Sequence, residues 1–217
     1  MTFYLVRHAQ SLPTKSLFFS EWPLSPTGVR QAEQLADLLT PLGIKKVFSS
    51  PFVRSVQTAK PFAEKHALPI TLADDLRERL ITSVGPPSDE VWCKGWEDFS
   101  FCPPGCETSL AAQTRMCRVM DEIACITKNG DVTAIFTHGN VMGLFLNTLA
   151  SNFGREATET LTNPDVLKIE KRNGAFIWNR EFRLPDLERF ATAHRQTPRE
   201  DEGDVVDSST SLKPVTP

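Results

Sequence analysis

Short apolar runs alternate along this chain with longer segments in which apolar residues recur every three or four positions. Three runs rich in aromatic and β-branched residues are typical of buried strands: residues 3–6, 44–49 and 132–136. Four segments have helical spacing: residues 26–39, 51–66, 107–128 and 139–149. Strands that alternate with helices indicate an α/β fold, so we predict a three-layer α/β/α sandwich with a mostly parallel central sheet.

Two of the predicted helices have clear apolar stripes that we assign to the core. Ser25 is a suitable N-cap and Pro26 suits the first helical position. The stripe of this helix consists of Val29, Ala32, Leu35, Ala36 and Leu39, and the stripe of the 107–128 helix starts at Leu110. We expect all of these side chains to be buried.

The second half of the chain contains a hairpin signal and two segments without periodicity. Asn173-Gly174 separates two β-rich runs and predicts a type I′ turn that completes the sheet. Residues 80–106 are rich in Pro, Gly and aromatic residues, and we expect them to lie as an irregular segment around the functional site. We predict one domain over residues 1–193, and a polar, acidic, disordered tail over residues 194–217.

Composition narrows the class of protein. The 217 residues carry a net charge of −3 and no long run of Lys or Arg, which argues against a nucleic-acid partner. No window approaches the ~20 apolar residues that a membrane span needs, so we expect no membrane association. The cysteine count of 5 is odd, which favours free thiols and a cytoplasmic protein. Cys102 and Cys106 have no second pair nearby, so we predict no metal site.

Three places along the chain carry polar residues that suit anion chemistry. Arg7 and His8 directly follow the first strand, and His138 follows the strand at residues 132–136. Ligands of open α/β sheets bind beyond the carboxyl ends of strands. Arg54 lies in the first turn of a helix, where a cation is unfavourable unless it shares an anion with the helix N-terminus. Each feature taken alone is also compatible with a solvated loop.

Together these motifs resemble one family. The matching motifs, in chain order, are Arg7-His8, Ser49-Ser50-Pro51 with Arg54 and Gln57-Thr58-Ala59, Leu76-Arg77-Glu78, and Thr137-His138-Gly139. The chain is similar over residues 3–182 to the histidine phosphatase family, which also contains the cofactor-dependent phosphoglycerate mutases. Ala9 stands where the family usually has Gly. The longer inserts of the mutases are missing, which disfavours mutase activity.

The resemblance implies phosphoryl transfer through a phosphohistidine. His8 would be the nucleophile, with its other ring nitrogen bonded to a backbone carbonyl. Arg7 and Arg54 would bind the phosphoryl oxygens together with His138, which we expect to act as an imidazolium stabilised by the anion. Glu78 would be the general acid and base. The flanking Arg77 and Arg79 should point away from Glu78, and no metal or other cofactor is predicted.

The predicted partner is a small-molecule phosphomonoester, and the predicted activity is its hydrolysis. A phosphomutase, a phosphohistidine-protein phosphatase and a non-catalytic module that binds phosphorylated ligands are the alternatives. Residues 9–24, which include Leu17, Phe18, Phe19 and Trp22, either line a substrate pocket or pack over the sheet edge. The substrate and the oligomeric state are left open by the sequence.

Overall fold

A six-stranded mixed sheet forms the centre of the protein in a computed structural model that describes residues 1–81 and 88–193. The strands are β1 (Thr2–Arg7), β2 (Lys46–Ser49), β3 (Ile70–Leu72), β4 (Val132–Thr137), β5 (Asp165–Arg172) and β6 (Ala175–Asn179). Their order is β3-β2-β4-β1-β5-β6. The first four are parallel, whereas β5 and β6 are antiparallel to their neighbours. The mostly parallel sheet that the sequence predicted is therefore confirmed.

Helices cover both faces of this sheet. They are α1 (Pro26–Leu39), α2 (Val53–Lys65), α3 (Asp89–Glu97), α4 (Ser109–Cys125), α5 (Gly139–Leu149) and α6 (Arg155–Glu159). Successive side chains of β1 divide between the two layers, because strand side chains alternate. Phe3 and Leu5 pack with α4 and α5, whereas Tyr4 and Val6 pack with α1 and α2. The predicted three-layer sandwich is confirmed. Among the described residues, no helix has the length and apolar character that crossing a membrane requires.

The apolar stripes of α1 and α4 are buried except in their first turns. Val29 is 47% exposed and Leu110 is 54% exposed, so the prediction that they belong to the core is wrong. Their neighbours Gly28 and Ser109 take the buried positions instead. Small residues are needed there, since a Cβ on Gly28 would lie 2.0 Å from the Gln10 carbonyl oxygen.

The segment 80–106 contains a helix that its sequence pattern did not predict. Ser88 accepts a hydrogen bond from Val91 N and caps α3, whose Trp92 and Gly95 are buried. With only 9 residues, α3 is shorter than the window of about 11–18 residues over which a helical period can be recognised. The predicted acidic tail at residues 194–217, and residues 82–87 of this segment, lie outside the described residues.

The predicted hairpin is confirmed. Asn173 and Gly174 have φ angles of 51° and 82°, and two positive φ angles are what a type I′ turn requires. The turn joins β5 to β6 and places both strands at one edge of the sheet. Because β5 pairs antiparallel with β1, Asp165 lies opposite Arg7 at the carboxyl end of β1.

We predict that Gly28→Ala destabilises the protein by about 1–3 kcal/mol, because the new Cβ would overlap a backbone oxygen that cannot move freely. Urea unfolding measures the free energy of unfolding. Gly154→Ala is the matched control, since a Cβ there would meet nothing within 4 Å. Equal losses of unfolding free energy in the two variants would contradict the close approach of α1 to the segment around Gln10.

Candidate active site

The candidate site lies where three parallel strands end side by side. Arg7 is the last residue of β1, and His8 N continues the pairing with a 3.0 Å hydrogen bond to the Thr137 carbonyl. Ser50 N likewise extends β2, with a 2.9 Å bond to Phe136 O. His138 follows β4, and its ring centroid is 5.1 Å from that of His8. Because β1 and β4 are adjacent and parallel, their carboxyl ends place the two imidazoles side by side.

The hydrogen bonds of His8 define its orientation. Its Nδ1 lies 2.7 Å from the Ala9 carbonyl oxygen, a group that can only accept. Its Nε2 lies 3.2 Å from Arg54 Nε, which can only donate. The pattern assigns the proton to Nδ1 and leaves the lone pair on Nε2. The backbone carbonyl contact that the sequence predicted is confirmed. Asn163 Nδ2 also donates to the His8 carbonyl over 2.8 Å.

Arg54 and Arg7 approach His8 from different elements. Arg54 lies in the first turn of α2, donates from Nη1 to Phe19 O over 2.6 Å, and packs against the Phe19 ring at 4.4 Å. Arg7 donates from Nη1 to Leu161 O over 2.6 Å. The Arg7 side chain also lies against the start of α5, because a Cβ on Gly139 would be 2.8 Å from its Cζ. Both guanidinium groups are buried.

Burial of these two cations is costly. Desolvation lowers the pKa of Arg7 to about 10 and the pKa of Arg54 to about 9. The nearby Glu78 carboxylate opposes both shifts, and Asp165 also opposes the shift of Arg7. Both groups remain charged at neutral pH. An anion between them would replace part of the lost hydration, so the site favours phosphate over an uncharged ligand.

His138 is fully buried and its Nε2 lies 2.8 Å from Ser50 Oγ. Burial and, secondly, the positive charge of Arg54 hold the pKa of His138 well below its usual range. Its Nδ1 has no hydrogen-bond partner among the described residues. Without an anion this imidazole is therefore neutral. The imidazolium that the sequence analysis expected needs the charge of a bound phosphate.

Glu78 binds the start of α5. Its Oε1 accepts hydrogen bonds from Arg79 N (2.8 Å) and Val141 N (3.0 Å), and its Oε2 accepts one from Asn140 N (3.0 Å). The side chain of His138, the N-cap residue of α5, forms no capping hydrogen bond. Glu78 thus supplies the cap from another part of the chain. Sequence reasoning missed this role, because no local motif signals a cap from 60 residues away.

The two arginines beside Glu78 form their hydrogen bonds elsewhere. Arg77 pairs with Asp74 Oδ2 at 2.6 Å, and its Nη2 is 3.5 Å from Glu107. Arg79 donates from Nε to Glu107 O over 2.9 Å and is buried against Gly95. Neither guanidinium pairs with the Glu78 carboxylate in the part of the chain that the structure describes. Arg77 nevertheless lines the same cavity as Glu78.

An apolar cavity adjoins these groups. Its volume is about 260 Å³ and its lining comprises Phe18, Phe19, Ser20, Phe52, Arg77, Glu78 and Leu80. Of the two alternatives that the sequence left open for the 9–24 segment, the structure supports the lining of a pocket. Phe19, Trp22 and Leu17 form a small cluster with Phe52, and Phe18 and Phe19 line the cavity.

The structure therefore brings all five predicted site residues together around His8. Sequence reasoning gave no role to Ser50, Asn163, Phe52 or Asp165. Ser50 was visible within the Ser-Ser-Pro motif, whereas Asn163 and Asp165 belong to a segment without a recognisable pattern. An α/β sandwich with two imidazoles and two buried guanidinium groups at its strand ends is of the class that handles phosphate esters.

The comparison with protein families gives this class a name. The family model described as histidine phosphatase superfamily (branch 1) matches residues 3–180, and the chain belongs to this family. A Yersinia pestis protein named probable phosphoglycerate mutase GpmB is 30% identical over 161 residues, which cover 67% of this chain and 73% of that protein.

Solved structures show the same fold at low sequence identity. The mycobacterial glucosyl-3-phosphoglycerate phosphatase in complex with inorganic phosphate has a TM-score of 0.68 at 18% identity, and the match covers 86% of this chain and 98% of that one. The Entamoeba histolytica phosphoserine phosphatase in complex with 3-phosphoglyceric acid has a TM-score of 0.67 at 17% identity, covering 82% and 94% of the two chains.

We predict that His138 makes the ligand-free protein less stable in mild acid. Because the folded state lowers its pKa, the unfolded chain binds the proton more tightly. Stability should fall as the pH drops below the unfolded pKa of about 6.5, by up to about 1.4 kcal/mol per pH unit, and be unaffected above it. Urea unfolding between about pH 7.5 and 5.5 measures this slope. His138→Gln should flatten it, and an unchanged slope in the variant would contradict the assignment.

Proposed function

We propose that this protein is a metal-independent phosphomonoester hydrolase that works through a phosphohistidine on His8. The observation that supports this most is the fixed orientation of His8. Its Nδ1–H is bound to Ala9 O at 2.7 Å, and its Nε2 lone pair accepts a hydrogen bond from Nε of the buried Arg54 over 3.2 Å. An imidazole held in one tautomer beside a cation is prepared to attack a phosphorus atom whose oxygens that cation binds.

In the first step, His8 Nε2 attacks phosphorus and the bond from phosphorus to the ester oxygen breaks. Arg7 and Arg54 bind the equatorial oxygens, and His138 donates a further hydrogen bond. Ser50 fixes the His138 ring through Nε2, so Nδ1 is the nitrogen that remains for an oxygen. These groups supply the positive charge that a metal ion supplies in other phosphoryl-transfer enzymes.

Glu78 is the proposed proton donor to the leaving oxygen. Its carboxyl group lines the cavity through which the leaving group would extend. Oε2 has only one N–H donor, whereas Oε1 has two, so Oε2 is the oxygen with room for the transferred proton. In the second step, water attacks the phosphohistidine, the N–P bond breaks, and Glu78 takes the proton of the water. The five cysteines are all free, which suits a reducing compartment such as the cytoplasm.

A phosphomutase is the second candidate, favoured by the relative named probable phosphoglycerate mutase. The two activities differ only in what accepts the phosphoryl group from His8. Incubation with 3-phosphoglycerate separates them, because a hydrolase releases inorganic phosphate and a mutase yields the isomer. A non-catalytic binding module would give neither product.

We predict that His8→Ala lowers phosphatase turnover by a factor of at least about 10⁴, because the nucleophile is removed. Rapid quenching of the unaltered protein and ³²P-labelled substrate in alkaline detergent should trap the label on His8, because the N–P bond of a phosphohistidine is hydrolysed in acid but survives alkali. His66→Ala is the matched control, since His66 lies at the end of α2 and contacts Thr40 rather than the site. Full turnover by His8→Ala would exclude the proposed function.

We predict that Glu78→Gln slows hydrolysis of alkyl phosphates by about 10²–10⁴-fold. The same variant should slow the hydrolysis of p-nitrophenyl phosphate much less, because nitrophenolate leaves without a proton. This contrast distinguishes proton donation from the capping of α5, since damage to the helix would affect both substrates equally. Circular dichroism of the variant checks the fold. Equal losses for the two esters would contradict the role of Glu78 as an acid.

A further inference from the structure

The cavity beside Glu78 shares Phe19 and Phe52 with the surroundings of the phosphate-binding groups and also includes the exposed Phe18. The Phe52 ring centroid is 5.0 Å from that of His138 and 5.1 Å from Arg54 Cζ. The Phe19 ring lies against Arg54 as well. Phe18 is 57% exposed. A leaving group that extended from a phosphate on Arg54 past Glu78 would therefore run along aromatic side chains.

The one cation in the described lining is already neutralised. Arg77 Nη1 lies 2.6 Å from Asp74 and 3.4 Å from Asp75, and Nη2 lies 3.5 Å from Glu107. A carboxylate on the leaving group would lose its hydration there without gaining a free positive charge.

The size of the cavity limits the leaving group further. Its volume of about 260 Å³ is just below the range of about 300–1,000 Å³ that accommodates drug-sized ligands. A six- or seven-carbon group fits this space. Such a group would also cover part of Phe18, which is otherwise exposed.

We infer that the leaving group of the substrate is an uncharged apolar alcohol, of about hexyl or benzyl size, that packs against Phe18, Phe19, Phe52 and Leu80. This inference rests on the proposed function, because it concerns the ester that His8 cleaves. It excludes phosphoglycerates and phosphoserine as preferred substrates, since both carry a carboxylate close to the phosphate.

A substrate series tests the inference with little change in leaving-group chemistry. The esters are ethyl, butyl, hexyl and benzyl phosphate, and 6-(phosphonooxy)hexanoate as the charged counterpart of hexyl phosphate. Each buried methylene should raise kcat/KM by up to about threefold to fourfold. The kcat/KM for hexyl phosphate should thus exceed that for ethyl phosphate at least tenfold, whereas the kcat/KM for 6-(phosphonooxy)hexanoate should not exceed that for ethyl phosphate.

Variants locate the effect in the cavity. Phe18→Ala should lower the hexyl-to-ethyl ratio of kcat/KM by about fivefold or more. Ile126→Ala is the matched control, because Ile126 is 61% exposed but lies at the end of α4, outside the cavity lining. It should leave the ratio unchanged.

The outcomes separate the two proposals. Three results would overturn the apolar leaving group without affecting the proposed hydrolysis. They are a hexyl-to-ethyl ratio of kcat/KM near one, a higher kcat/KM for 6-(phosphonooxy)hexanoate than for ethyl phosphate, and an unaltered hexyl-to-ethyl ratio in Phe18→Ala. Absence of turnover with every ester, together with no labelled His8 after an alkaline detergent quench, would remove the proposed function and the inference with it.

Discussion

The burial of two guanidinium groups is the constraint on which the site depends. Arg7 and Arg54 are 4% and 2% exposed, and both have their pKa lowered by loss of hydration. Such charges are tolerated only where backbone carbonyls, aromatic faces and nearby carboxylates compensate them. The carbonyls of Phe19 and Leu161 do so here, each at 2.6 Å. The Glu78 carboxylate compensates both cations as well, yet the pKa of each stays lowered, so their lost hydration is replaced only in part.

Burial and the same positive charge act on the imidazoles of the site. Burial and, secondly, Arg54 hold the pKa of His138 below its usual range, and Arg54 Nε donates a hydrogen bond to Nε2 of His8. A nucleophile must be neutral on the attacking nitrogen, whereas a ligand of the phosphoryl oxygens gains from being charged. In the proposed mechanism the phosphate dianion would favour protonation of His138, and His8 would attack through Nε2.

Much of the fold and of the site was predictable because it follows from local rules. The periodicity of β1, α1 and α5 and the Asn173-Gly174 turn reflect short-range preferences, and the strand-end rule placed Arg7, His8 and His138 at one edge. Helix α3 was not predicted because its nine residues are fewer than the about 11–18 positions over which a helical period can be recognised. Two contacts were not predicted for another reason: the capping of α5 by Glu78 and the hydrogen bond from Asn163 to the His8 carbonyl. Both join distant parts of the chain, and the spacing of residues in the sequence does not indicate such contacts.

The attachment of Glu78 to the amides of Asn140 and Val141 has an evolutionary consequence. The side chain that completes the start of α5 also borders the place where the leaving oxygen would depart. A descendant of this protein that replaced Glu78 with a side chain unable to accept these hydrogen bonds would leave both amides uncapped, at a cost of about 0.5–2 kcal/mol. Any substitution at this position is therefore felt by the stability of α5 as well as by the edge of the site.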